Sequence, residues 1–224
     1  MSDSSRSLRA DSRQTQEDIL AASVELFSQK GFAPASMRLI AAKAGVNLAL
    51  LNYHFGSKLN LFEASFLHCA APINAERIRL LDELESNVAD PTLEQIVIAF
   101  VDVGAVGDAN WSRMIARVFV ESDEISQPIL ERAFRPTLQR FKTALQRVLP
   151  EVEEETLEMR FHFLVGSMLH LIRFSSPLKL SENGRKNWGP NNGLDELVNF
   201  VVGGLRAGGS HPFSDRRVAY RRLS

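Results

Sequence analysis

The sequence predicts an all-α protein in two parts, a small three-helix domain at the N terminus and a larger helical domain behind it. Three observations carry that expectation. Apolar residues recur at spacings of three, four and seven along most of the 224 residues, which places them on single faces of helices. Ser36, Asn47 and Ser57 stand where helices would begin, and Gly31, Gly45 and Gly56 where they would end or turn. Residues 153–174 and 194–206 are apolar over so much of the helix that each must be covered on more than one side.

Composition narrows the class without deciding it. With 45% hydrophobic and 24% charged residues, the chain is ordinary for a globular protein of one or two domains with a sizeable core. No run of 18 apolar residues supports a membrane span. The opening MSDSSRSLRADSRQ has no apolar segment of the kind a secretory signal needs, so a cytoplasmic location is expected. Cys69 is the single cysteine, which excludes an internal disulfide framework and a cysteine metal cluster. The net charge of -1 is unevenly spread. Residues 1–58 carry seven Lys/Arg against five Asp/Glu, residues 59–205 carry 14 against 21, and the last 19 carry five against one. Basic ends on an acidic middle suit a chain whose N-terminal part meets a polyanion.

Residues 1–13 hold only Leu8 as a large apolar group and are predicted mobile, a solvated tail in which Arg6, Arg9 and Arg13 offer a basic arm. From Gln14 the pattern turns helical. Ile19, Ala22 and Leu26 make one row, Leu20, Val24 and Phe27 another, and Gly31 stops the helix. Ser36 then caps a short helix with Met37, Ile40, Ala41 and Ala44 on its inner face. Gly45 turns the chain and Asn47 caps the next helix, where Val46 and Leu51 stand as a hydrophobic staple and Phe55 continues inward.

That register forces Leu48, Ala49, Asn52 and Tyr53 outward, flanked by Leu50 and His54. A solvated face would carry Lys and Glu. Methyls, an amide, a phenol and an imidazole instead suit the edges of base pairs, where methyl groups meet thymine and Asn can bond adenine. Two short helices joined by a tight turn have the form of a helix-turn-helix, whose second helix enters the major groove. Lys58 falls in the first turn of the following helix, where it opposes the helix dipole unless an anion binds there, so a phosphate contact is expected. The competing readings are a helical hairpin packed on its own domain and a helical adaptor that binds protein through Leu48 and Tyr53.

Residues 14–62, through ILAASVELFSQKGF, SMRLIAAKAGV and NYHFGSK, resemble the N-terminal DNA-binding domain of TetR-family transcriptional regulators. Asn47, Ala49 and Asn52 depart from the commonest residues of that pattern. The stretch from Ser36 to Lys58 is similar to a narrower group, the PsrA-like regulators of fatty-acid metabolism. The resemblance implies Leu48, Ala49, Leu50 and Tyr53 near base edges, and Ser36, Arg38, Asn52, His54 and Lys58 toward phosphates, with Asn47 among the contacting residues. It also implies double-stranded DNA as partner, a homodimer, and a repressor released by a small apolar effector such as a long-chain fatty acid or acyl-CoA. An efflux or detoxification repressor answering to an aromatic or drug-like ligand is the alternative.

Under that resemblance residues 1–57 form the reading head, 58–208 the regulatory and dimerisation domain, and 209–224 a basic mobile tail. Pro72 is expected to kink or end the helix that starts at Lys58. Residues 92–107, 111–122 and 127–149 read as further helices, with Phe100, Val103, Phe119, Phe141 and Phe163 as candidates to line an apolar effector cavity. Arg113, Arg117 and Arg173 lie in apolar runs and are candidate counter-charges for an anionic effector. Helices 153–174 and 194–206, with Gly166, Ser167, Gly203 and Gly204, are suited to a two-fold four-helix interface. Between them, residues 175–193 read as a long loop.

Catalytic signatures are lacking: no glycine-rich nucleotide loop, GxSxG, HExxH or cysteine pair occurs. His68 and Cys69 diverge as neighbours on a helix, and His162 and His170 have no carboxylate between them. No enzyme activity, cofactor or metal is expected.

Overall fold

The computed structural model describes residues 3–102, 109–173 and 190–208. The tail expected over 209–224 and most of the loop expected over 175–193 lie outside the described residues. Among the described residues every regular element is an α-helix. The first, α1 (Asp3–Lys30), begins well before Gln14. The expected mobile arm is therefore helical backbone from Asp3 onward. No Pro or Gly interrupts residues 3–30, and Leu, Arg, Ala and Gln are good helix formers. Gly31 ends the helix at φ +84°, donating its N–H to the Phe27 carbonyl at 2.8 Å.

Helices α2 (Met37–Lys43) and α3 (Leu48–Phe55) follow, then the 30-residue α4 (Lys58–Asn87), about 45 Å long at the α-helical rise. Pro72 does not end α4, which continues through it to Asn87. Its ring stands on the exposed face beside exposed Ala71, so it displaces no core packing, and the cost is one lost main-chain hydrogen bond and the crowding of its ring against the His68 carbonyl. Next come α5 (Leu93–Val101), α6 (Ala109–Val118) and α7 (Asp123–Val148). A capping box of Thr92 and Gln95 opens α5, and the helix stops at Val101 with Asp102 as its cap, short of the expected residue 107. Ser122 precedes α7, and Asp123 and Glu124 in its first turn favour its earlier start. The last two helices are α8 (Glu154–Arg173) and α9 (Pro190–Arg206). Pro190 occupies a first helical position, where a missing N–H does no harm.

Burial sorts the apolar side chains into two clusters. The first joins α1, α2 and α3 to the N-terminal half of α4, to α6 and to the start of α7, through residues such as Phe27, Leu51, Phe62, Phe66, Met114 and Ile129. The second joins the C-terminal half of α4 to α5, the end of α7, α8 and α9, around Leu81, Phe100, Phe141, Leu164 and Val201. Packing thus changes partner midway along α4, and the reading head shares its core with α6 and α7.

Candidate nucleic-acid interface

Local capping chemistry fixes the geometry of α2 and α3. Ser36 Oγ accepts from the Leu39 N–H at 3.2 Å, and Asn47 Oδ1 accepts from the Leu50 N–H at 2.8 Å. Each side chain thereby satisfies a donor that its helix leaves open. Gly45 at φ +69° makes the turn between the helices, a conformation that side chains with a Cβ rarely adopt. Lys43 of α2 pairs with Glu25 of α1 at 2.9 Å, and that contact, led by the hydrogen bond, holds the Glu25 carboxyl below its ordinary pKa.

Leu51 and Phe55 of α3 are buried in the first cluster. The opposite face is left to solvent: Ala49 and Asn52 are exposed, Tyr53 is 83% exposed, and Leu48, Leu50 and His54 are half-buried at its edges. Tyr53 and His54 meet edge to face at 5.4 Å between centroids. On α2, Arg38 and Leu39 are also exposed. The result is a short rigid ridge of methyl, amide, phenol and imidazole groups, carrying both hydrogen-bonding and apolar contacts of the kind base edges accept.

Lys58, the expected phosphate contact, also has partners within the chain. Its ammonium donates to the Ala33 carbonyl at 2.8 Å and lies 4.7 Å from the centre of the Phe32 ring. Burial draws its pKa below the ordinary lysine value, against the opposing field of Glu121. The cation is folded back on the loop between α1 and α2, where it ties the start of α4 to the reading head. Ser57 supplies the N-cap of α4 instead, accepting from Asn60 N–H at 3.1 Å.

Residues 19–65 match the family described as "Bacterial regulatory proteins, tetR family", and residues 95–204 match "Tetracyclin repressor-like, C-terminal domain". Together the two matches span well over half of the chain. It belongs to the TetR family. Among curated proteins, "Probable HTH-type transcriptional regulator YttP" of Bacillus subtilis is 26% identical over 173 residues, covering 75% of this chain and 81% of that protein. Among solved structures, native NalD of Pseudomonas aeruginosa, the secondary repressor of the MexAB-OprM multidrug efflux pump, superposes with a TM-score of 0.62. It is 21% identical, with 87% of this chain and 96% of that one covered. The TetR-family regulator PfmR of Thermus thermophilus gives 0.53 at 20% identity, with 84% and 97% covered. The chain is a transcriptional regulator of this family, with a helix-turn-helix for DNA and no helix among the described residues long and apolar enough to cross a membrane.

In the regulatory half of this TetR-family chain, the four described residues among those expected around an effector cavity divide into two buried and two exposed. Phe100 and Phe141 fill the second cluster, 2% and 0% exposed and edge to face at 5.0 Å. Phe119, in the turn just past α6, and Phe163 on α8 instead face outward, 50% and 64% exposed. Val103 lies outside the described residues. Of the three candidate arginines, Arg113 is exposed, and the side chain of Arg173 is outside the described residues. Arg117 of α6 donates to the carbonyls of Ser28 and Gln29 at 3.3 and 2.7 Å, closing the end of α1 rather than serving a pocket. The charged residue that does enter the regulatory core, Arg77, is one the sequence reading passed over. Its signal was available: it falls in register with the inward row Ala70, Ile73 and Leu81 of α4.

Proposed function

We propose that this chain works as a homodimeric, effector-released repressor that reads a palindromic operator through the outward face of α3. The exposed ridge of Ala49, Asn52 and Tyr53, held on a helix capped at Asn47 and anchored by Leu51 and Phe55, carries this reading. Leu48, Leu50 and His54 border the ridge, and Ser36, Arg38 and Asn47 stand where the backbone of a bound duplex would pass. Two such ridges, one per protomer, match two half-sites a helical turn apart.

An unpartnered apolar stripe supports the dimer. Met159 and Phe163 on α8 and Phe200 on α9 are 52, 64 and 71% exposed. Beside them Gly166, Gly203 and Gly204 have nothing within 4 Å of where a Cβ would stand. A second copy laid against this stripe would bury large side chains where small ones permit close approach. The effector in this reading is a small apolar molecule of the long-chain fatty acid or acyl-CoA class, a choice supported by the likeness of residues 36–58 to the fatty-acid-responsive group.

The test is a salt titration of binding to the duplex upstream of its own gene. Affinity should fall steeply as salt rises, and Tyr53→Ala with Asn52→Ala should remove the preference for that duplex over random sequence. A flat salt response, or equal affinity for random duplex in the unaltered protein, overturns the reading. Native mass spectrometry of the purified protein identifies the effector class, and a retained aromatic compound would replace the fatty-acid assignment.

A further inference from the structure

Arg77 projects from the middle of α4 and is only 3% exposed. Its Nε donates to the Phe100 carbonyl at 2.9 Å and its Nη2 to the Met168 sulfur at 3.3 Å. The guanidinium carbon lies 4.3 Å from the centre of the Phe100 ring. All three partners are neutral. Burial pulls the Arg77 pKa down to about 10, and no acidic group offsets that effect, so the side chain is a full cation at neutral pH. The Phe100 carbonyl belongs to the last turn of α5, whose dipole presents about half a negative charge. That compensation is partial, and a buried charge without an ionic partner is costly to keep. A leucine or methionine at this register position would complete the packing without that cost.

Two further observations concern what surrounds it. Along α4, Ile73 packs in the first apolar cluster and Leu81 in the second, so Arg77 stands at the seam where the two cores meet. One turn earlier, Asn74 donates through Nδ2 to the Ala133 carbonyl of α7 at 2.8 Å, but its buried Oδ1 has no hydrogen-bond partner. The buried residues of the two clusters do not overlap. The seam between them already contains an underneutralised cation and an unsatisfied polar atom.

We propose that Arg77 is the anion-binding end of the effector site, holding the carboxylate of an amphipathic small molecule whose apolar part enters the seam beside Phe100, Phe141 and Met168. This rests on the reading of the chain as an effector-responsive regulator and specifies the chemistry of its ligand. A carboxylate gives the guanidinium fork the charged acceptor that a carbonyl and a thioether only approximate. Its arrival at the junction of the two clusters also reaches α4, the helix that begins at the reading head.

The experiment compares dodecanoate with 1-dodecanol, which share a chain and differ in charge, by calorimetric titration of the full chain. Wild type should bind the carboxylate about tenfold or more tightly than the alcohol. In Arg77→Gln that preference should fall to about one with alcohol affinity retained, and Arg77→Lys should restore part of it. A preference that survives Arg77→Gln, or a wild type that binds neither compound or both equally, overturns the proposal. A measurement that needs no variant follows dodecanoate labelled with 13C at its carboxyl. Bound to the wild type, the group should titrate at lower pH than the free acid, and titration at higher pH overturns the assignment. Operator binding by the unliganded protein is scored separately, so its failure sinks the regulator reading without obscuring the binding data.

Discussion

A cation in the first turn of a helix meets the positive end of the helix dipole, and Lys58 avoids that conflict by turning back to the Ala33 carbonyl and the Phe32 ring. Lys58→Met should therefore destabilise the reading head by about 1 kcal/mol, read from urea denaturation, and weaken DNA binding alike for every sequence. Unchanged stability with weakened DNA binding would instead assign the lysine to phosphate. The residue scale shows what a single sequence conveys. Ser36, Asn47, Gly31 and Gly45 announce their roles because caps and turns are settled by neighbours within four residues. The outward position of Tyr53 and Asn52 was legible too, from a register that leaves them off the apolar row. The destination of Lys58 depends on a loop 25 residues away, which no local rule supplies. Arg77 had its signal in the register of α4, yet only the packed structure shows that no acid meets it.

Between elements, the long helices α4 and α7 are joined by charge as well as by packing. Arg140 bonds Glu85 and, at 3.0 Å, Asp82, while Arg147 also reaches Glu85. The hydrogen bond from Arg140, aided by the nearby charge of Arg147, holds the Glu85 carboxyl below the ordinary glutamate pKa despite partial burial. A group with a lowered folded pKa contributes its stability above the unfolded value of about 4.3, and the contribution disappears as pH falls through the lowered value. Glu85→Gln should therefore lower Tm by about 2–4 °C at pH 7, and the gap from wild type should narrow below about pH 4. A gap independent of pH would show that Glu85 acts through shape alone. Element boundaries were legible where caps or clear apolar rows exist, as in α2, α3 and α8. They were not where the deciding fact was exposure: Pro72 stays within α4 because its ring finds the outer face, and α1 reaches Asp3 because nothing interrupts it.

At the scale of the whole molecule, the exposed stripe of α8 and α9 is the proposed dimer interface. Phe200→Glu places a charge on the most exposed of its aromatic residues. It should convert the dimer to monomer by light scattering, with helix content unchanged, and should weaken operator binding by separating the two half-site contacts. A variant that stays dimeric overturns this surface as the interface. The helical class, the inward and outward faces of α3 and the apolar row of α8 were all legible, since each is a matter of periodicity. The placement of the individual phenylalanines was not, because periodicity marks rows of side chains but not how those side chains meet. Phe100 and Phe141 close on each other, while Phe163 turns to the surface.

The grip of Arg117 on α1 has a consequence of another kind. It holds the carbonyls of Ser28 and Gln29, atoms that every amino acid carries, and Gly31 follows with its backbone at φ +84°. The Arg117 contact itself therefore makes no demand on side-chain identity, and the demand on that last turn comes from Phe27 and Ser28, both buried against the shared core. A foreign reading head ending in the same glycine, with apolar residues at the positions of Phe27 and Leu51, would fit the same latch. A grafted head would also have to match the shared core that joins it to α4, α6 and α7.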